Sequence, residues 1–132
     1  MSYSVIQHRQ FCVDRACFEG QKWGEFRDID HVTMFADYRV PQALLALDLL
    51  TYSDELMQYL QKDGRLEPGE EREVEIRGCS IWSVELLRKE IARLVPSEKA
   101  PTAIVLDFFL WDYAKESDLS AFPIHKTRSV FY

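Results

Sequence analysis

Three aspartates in unusual company and one short basic cluster are the residues of this chain whose types and spacing suit chemistry. Asp107 sits in TAIVLDFFLWDYA, residues 102–114, the most apolar run of the sequence. An unpaired carboxylate is costly to bury, so such a group becomes protonated, finds a partner or serves a ligand. Two readings stay open for it: a structural carboxylate tied to a buried Arg or to backbone N–H groups, and a ligand contact. At about 100° per residue, Asp107 shares a helical face with Ile104, Trp111 and Ala114, while Asp112 is rotated about 140° away. The two therefore do not form an acid/base pair on one helix face, and Asp112 is better placed to meet Lys115 or solvent. Asp37, in FADYRVPQ, stands just ahead of Pro41, where chain geometry can aim a side chain into a cleft; the plainer alternative is a helix-end carboxylate paired with Arg39. His125-Lys126-x-Arg128 is a small basic patch that can hold a phosphate or simply be solvated. Trp23, Phe26, Phe35, Trp111 and Tyr113 can stack on a flat base, although aromatics at these spacings usually build core.

Composition narrows the classes. With 132 residues, 47% hydrophobic and 13% aromatic, the chain has enough apolar surface for one domain with a core. A net charge of −6 argues against a grip on a nucleic-acid backbone, which needs a basic surface that releases counterions. A polynucleotide partner is therefore not expected, whereas a small cationic or polar ligand is compatible. No run approaches the roughly eighteen apolar residues that cross a bilayer, and MSYSVIQHRQ lacks the basic-then-apolar order of a signal peptide, so a soluble, cytoplasmic protein without a membrane partner is expected. Cys12, Cys17 and Cys79 follow no zinc or redox spacing and read as reduced, mostly buried thiols; His8, His31 and His125 are scattered, and no metal site is expected.

The elements that must position these residues read as helices. Residues 4–18 carry a weak helical pattern, followed by a loop at EGQKWGEF. Asp28 or Asp30 suits the start of a helix that carries Ile29, Val32, Met34 and Phe35 toward Asp37-Tyr38-Arg39 and ends or kinks at Val40-Pro41. Pro41 suits the first turn of the next helix, QALLALDLL. Ser53 caps SDELMQYLQKD, which Gly64 stops. VEIR, within a charged and turn-rich stretch, reads as a brief extended segment. From Ser80 the spacing of Ile81, Val84, Leu87, Ile91 and Leu94 predicts an amphipathic helix ended by Pro96. Residues 102–115 form a last helix, apolar nearly all round, that belongs in the middle of the core. The tail from Asp118 is expected to pack in extended form across the domain. The sum is an all-α fold, one compact helical domain over residues 1–132.

EIRGCSIWSVELL, FADYRVPQ, VLDFFLWDYA and the ending PIHKTRSVFY stand in the order in which they occur in the queuosine salvage family, and WGEFRDID ahead of FADYRVPQ fits as well. On residues 18–132 the chain resembles the C-terminal half of that family, the queuosine 5'-phosphate N-glycosylases. The resemblance implies hydrolysis of the N-glycosidic bond of queuosine 5'-monophosphate to free queuine for reuse in transfer RNA. It also implies a helical fold similar to helix-hairpin-helix DNA glycosylases, a free nucleotide as substrate, and neither metal nor organic cofactor.

The implied roles follow from the chemistry. Breaking a ribosyl bond builds positive charge on the sugar, which a carboxylate near C1' stabilises while it orients or deprotonates water. The resemblance puts Asp37 first for that role, with Asp28 of EFRDID as runner-up. Queuine offers ring N–H, amine, ammonium and diol donors, so Asp107 and Asp112 are expected to read it while Trp111 or Tyr113 packs on the ring. Arg39, His125, Lys126 and Arg128 are candidates for the 5'-phosphate. Two departures stand beside these expectations. Members of the family are longer by an N-terminal half, and residues 1–17 match their pattern only loosely. The rival reading is accordingly a non-catalytic truncated or degenerate paralogue, an interaction module that self-associates or pairs with a complementing N-terminal half.

Overall fold

The computed structural model describes residues 31–128, and the expected features at residues 4–26, including Cys12 and Cys17, and the site candidate Asp28 lie outside them. Among the described residues four helices dominate: α1 Arg39–Ala46, α2 Asp54–Gln61, α3 Glu71–Leu94 and α4 Ala103–Glu116. A short 3-10 turn, Ser97–Lys99, joins α3 to α4, and two short strands, β1 Arg65–Leu66 and β2 Lys126–Thr127, pair in parallel with Arg65 opposite Lys126. The expected all-α class is the observed one.

Three of the four helices pack on one another. Val40, Ala43 and Leu44 of α1, Val84 of α3, and Leu106, Leu110 and Ala114 of α4 form the main core, closed by Met34, Ala36 and Leu119 from the segments on either side. A smaller cluster of Leu60, Leu66 and Ile76 sits under β1, with Tyr52, Leu56 and Tyr59 against it. The tail does cross the domain: Gln42 donates to the carbonyls of Leu119 and Phe122 at 3.1 and 2.7 Å, and β2 then joins β1. A buried amide with two carbonyl partners explains why Gln42 is tolerated in an apolar helix.

Helix ends follow local chemistry. Ser53 accepts from the Leu56 N–H at 3.2 Å and Thr102 from the Val105 N–H at 3.4 Å, as N-caps do. The helix expected over QALLALDLL stops at Ala46, because Asp48 turns left-handed (φ 56°) while Leu49 N–H reaches Leu44 O at 2.8 Å and Asp48 N–H reaches Leu45 O at 3.2 Å. α2 ends the same way, with Asp63 at φ 65°; the left-handed residue is therefore Asp63 and not Gly64. Gly64 is needed for close approach, since a Cβ there would overlap the Tyr59 ring and lie 2.6 Å from its carbonyl oxygen.

Three other expectations are corrected. Residues 32–37 are not helical; the Phe35 N–H and the Ala36 carbonyl go to tertiary partners, Asp107 and Arg77. VEIR lies inside α3, which begins at Glu71 and not at Ser80. Glu70 organises that start by accepting from the Glu67 N–H and from Arg72, acidic residues in the first turn suit the helix dipole, and Glu73 pairs with Arg77 one turn on. Charge pairing at helical spacing thus outweighed the β-branched residues of the segment. Cys79, expected to be buried, is exposed and free on α3.

α4 was expected in mid-core and is only half there. Ala103, Ile104, Leu106, Asp107, Leu110 and Ala114 are buried, but Val105, Phe108 and Phe109 face outward, Phe109 60% exposed. Leu110 has no exposed surface, so Leu110→Ala should cost about 2–5 kcal/mol of unfolding free energy in urea denaturation. Phe109→Ala should change it far less, because the ring is mostly in water already.

Candidate active site

Asp37 is placed by the strap of residues 32–37 that enters α1. One carboxylate oxygen, Oδ1, accepts from the N–H groups of Arg39 and Val40 at 2.8 and 2.9 Å, so the side chain serves two of the orphan donors at the start of α1. The strap is itself held from two sides. The Phe35 N–H donates to Asp107 Oδ2 at 3.0 Å, and the Arg77 guanidinium donates to the Ala36 carbonyl while pairing with Glu73. Asp107 therefore has a backbone N–H partner, the structural reading left open by the sequence, and its position on the cavity wall keeps the ligand reading available.

That cavity, about 320 Å³, is lined by Phe35, Asp37, Asp107, Phe108, Trp111 and Asp112. Four of the six come from α4 at positions i, i+1, i+4 and i+5, a sector about 140° wide at 100° per residue. The rotation between Asp107 and Asp112 is thus the width of one concave wall, and both carboxylates border the same space. Lys115, expected beside Asp112, lies instead over the Trp111 ring, 4.4 Å from its centroid. Phe35 and Phe108 also border the cavity. Phe35 is one of the aromatics that the sequence offers for stacking on a flat base, although it was expected within a helix, whereas Phe108 reads only as part of a core helix and no local signal marks it as site-lining.

Burial raises the Asp37 pKa above its ordinary value, and the negative charge of Asp107 adds to that rise. The N–H groups of Val40 and Arg39 and the Arg39 charge oppose it. The arrangement joins a carboxylate with increased proton affinity, two further carboxylates able to accept hydrogen bonds, and aromatic rings that can cover a flat ligand.

The remaining candidates lie elsewhere. Tyr113 is half-buried against the main core, its ring 6.5 Å from that of Phe109, and does not line the cavity. Arg39 borders another hollow, with its guanidinium 3.3 Å from Gln42 Oε1 and over the Tyr38 ring. His125, Lys126 and Arg128 border a hollow of about 450 Å³ together with Tyr38, Arg65 and Thr127. Lys126 is ion-paired with Asp63. His125 is buried, and burial together with the nearby Arg77 charge lowers its pKa to about 4, partly offset by Glu73. Among the described residues no cluster of three or more His, Cys, Asp or Glu is placed to hold a metal ion, and no helix is long and apolar enough to cross a membrane.

Comparison with known proteins bears on this geometry. Residues 10–132 match the family model described as queuosine salvage protein. The queuosine 5'-phosphate N-glycosylase/hydrolase of Mus musculus is 48% identical over 120 residues, covering 86% of this chain and 36% of the relative. The proteins of the same name from Bos taurus and Schizosaccharomyces pombe are 46% and 43% identical, covering 86% and 89% of this chain. The chain spans 36% of the length of each of these curated relatives.

Two outcomes check the site's construction. Asp107→Ala strands the Phe35 N–H and should cost about 1–3 kcal/mol in urea unfolding, with Asp107→Asn, which keeps an acceptor, recovering most of it. Between pH 6.5 and about 4 the unfolded chain protonates at His125 while the folded chain does not, so stability should fall as pH drops through that window. Unfolding curves at pH 7 and 4.5 should show a loss on the order of 2 kcal/mol that is absent in His125→Gln.

Proposed function

The chain belongs to the queuosine salvage protein family, and from that premise we propose that it carries catalytic surface for hydrolysing the N-glycosidic bond of queuosine 5'-monophosphate, releasing queuine. The observation that supports this best is the meeting of Asp37, Asp107 and Asp112 with Phe35, Phe108 and Trp111 around one small cavity. A donor-rich, flat base matches acceptor carboxylates set among aromatic rings.

In this reading, water adds to C1' of the ribose while the bond from C1' to the base nitrogen breaks. The bonding pair leaves with the base, the proton lost by water goes to Asp37, and Asp37 returns to its ionised form by passing that proton to solvent while the base nitrogen takes one proton from solvent. The ionised carboxylate also stabilises the positive charge that develops on the ribosyl ring. A raised pKa suits this, because proton transfer is most efficient when the acceptor's pKa lies near the working pH. Asp107 and Asp112 read the base, and Trp111 covers it. Asp28, outside the described residues, remains the second carboxylate for the C1' role, and the phosphate is assigned to the basic candidates Arg39, His125, Lys126 and Arg128.

A second reading has its own observation. Phe109 and Trp82 are each 60% exposed, and Val105, Leu86 and Val74 are exposed as well, on a chain spanning 36% of its relatives' length. Those faces suit an interaction module that self-associates or pairs with a complementing half.

Incubation of the chain with queuosine 5'-monophosphate, with queuine followed by chromatography, tests the first reading. Asp37→Ala should lower kcat/KM by about 10²–10⁴-fold, whereas unchanged turnover would remove Asp37 from the role. Since Asp37 must be ionised, activity should fall as pH drops, with the acid limb lying above the ordinary aspartate value of 3.8. Asp28→Ala tests the runner-up in the same assay. A monomer in analytical ultracentrifugation that neither binds nor cleaves the nucleotide would remove both readings.

A further inference from the structure

The turn that delivers Asp37 is short and does not hold itself. The Asp37 N–H donates to the Phe35 carbonyl at 2.8 Å, a three-residue turn centred on Ala36. One hydrogen bond over three residues gives little order, so the direction in which Asp37 leaves the turn depends on what grips it from outside. α4 grips one end through Asp107, which accepts from the Phe35 N–H at 3.0 Å. α3 grips the other through Arg77, 41 positions along the chain, whose guanidinium donates to the Ala36 carbonyl. That carbonyl belongs to the same planar peptide unit as the Asp37 N–H, so the guanidinium fixes the plane from which the Asp37 Cα hangs. Arg77 is itself aimed. Its Nε donates to Glu73 Oε1 while Nη1 serves Ala36, and Glu73 Oε2 accepts from the Gly69 N–H at 3.2 Å. Both side chains are mostly buried. Removing the two charges from water offsets most of what their attraction contributes, so the pair orders the strap more than it stabilises the fold.

We propose that Arg77 is a positioning residue for the hydrolysis, holding the peptide between Ala36 and Asp37 so that the Asp37 carboxylate is presented at the cavity, with Glu73 as the anchor of Arg77. The inference rests on the hydrolase reading for its reaction, though not for its geometry. Oδ1 of Asp37 is committed to the Arg39 and Val40 N–H groups, whereas Oδ2 has no hydrogen-bond donor among the described residues and is the oxygen left for water at C1'. A misplacement of about 1 Å costs reacting groups on the order of 10²-fold, so the setting of that peptide plane matters to the rate. Arginine suits the task, because its planar fork serves two acceptors from adjacent nitrogens, which the point charge of lysine does not. The charged groups around Asp37 are Asp107 and Asp112 from α4, Arg39 on α1 and Arg77 from α3. Burial is the first cause of its raised pKa. A strap released from α3 admits water to the carboxylate, so the acid limb of turnover reports whether Arg77 holds it.

The test uses the full chain with Arg77→Lys, Glu73→Gln and, as a control on the same helix, Arg88→Lys, whose native partner is Glu85. Arg77→Lys keeps the charge and removes the fork. In that variant kcat for queuosine 5'-monophosphate should fall about 10–10²-fold with KM within about twofold. The acid limb of kcat and the Asp37 carboxyl titration, followed by carboxyl-carbon NMR, should both move down toward 3.8. Glu73→Gln should move them the same way by less, and it decides by the same criteria where circular dichroism shows Arg77→Lys unfolded. Arg88→Lys should leave all three as in the native chain. A fall in kcat with the acid limb and the carboxyl titration unmoved is what a merely structural ion pair gives, and it would overturn the proposal. Equal shifts in Arg88→Lys would overturn it as well. A chain that releases no queuine, yet whose Asp37 titration falls in Arg77→Lys and not in Arg88→Lys, would uphold the positioning and sink the hydrolase reading. Queuine release and an Asp37 titration both indifferent to Arg77 would do the reverse.

Discussion

The hydrogen bond from the Phe35 N–H to Asp107 is the constraint on which the rest of the site depends. It joins residues 72 positions apart in the chain and fastens a non-helical strap to the middle of α4. Without an acceptor at that point, the strap would have to leave a part-buried N–H unpaired or find a different path. With it, Met34 and Ala36 turn into the main core and Asp37 arrives at the start of α1, where it binds the Arg39 and Val40 N–H groups. One carboxylate thus positions another, and the two then share a cavity wall.

Their proximity also sets the electrostatics. Desolvation and the charge of Asp107 both favour the protonated form of Asp37, while two backbone donors and Arg39 favour the ionised one. The balance leaves a pKa above the ordinary aspartate value, and its direction comes from burial first. A fully paired Asp37, tied to Arg39 at the surface, would have the opposite shift. The strap therefore contributes more than placement: it takes the carboxylate out of water far enough to alter its proton affinity.

α3 links this site to the second hollow. Arg77 reaches the Ala36 carbonyl on the strap, pairs with Glu73, and its charge acts on His125. A neutral imidazole beside a guanidinium does not add to local charge repulsion, which suits its burial there. Strap, α3 and β2 are thus coupled through charged groups, while α1 and α4 are coupled through apolar packing.

Several features were legible in the residues themselves, because their causes are local. Ser53 and Thr102 cap helices as their types predict, Pro96 follows the end of α3, and the apolar content of residues 102–115 marks a helix bearing on the core. The family resemblance likewise rests on strings of residues. Other features depend on partners distant in sequence. Val32 to Asp37 has helix-compatible spacing, yet Asp107 and Arg77 claim its backbone groups. VEIR has strand-type residues, yet Glu73 and Arg77 favour a helix. Helical phase placed Asp107 and Asp112 apart, but only packing shows that a concave wall spans that angle. By itself the sequence determined which carboxylates are unusual, where most helices lie, and what family the chain resembles. Only the tertiary structure decided which carboxylates meet and which basic groups do not join them, because hydrogen bonds and burial across long separations have no periodicity to read.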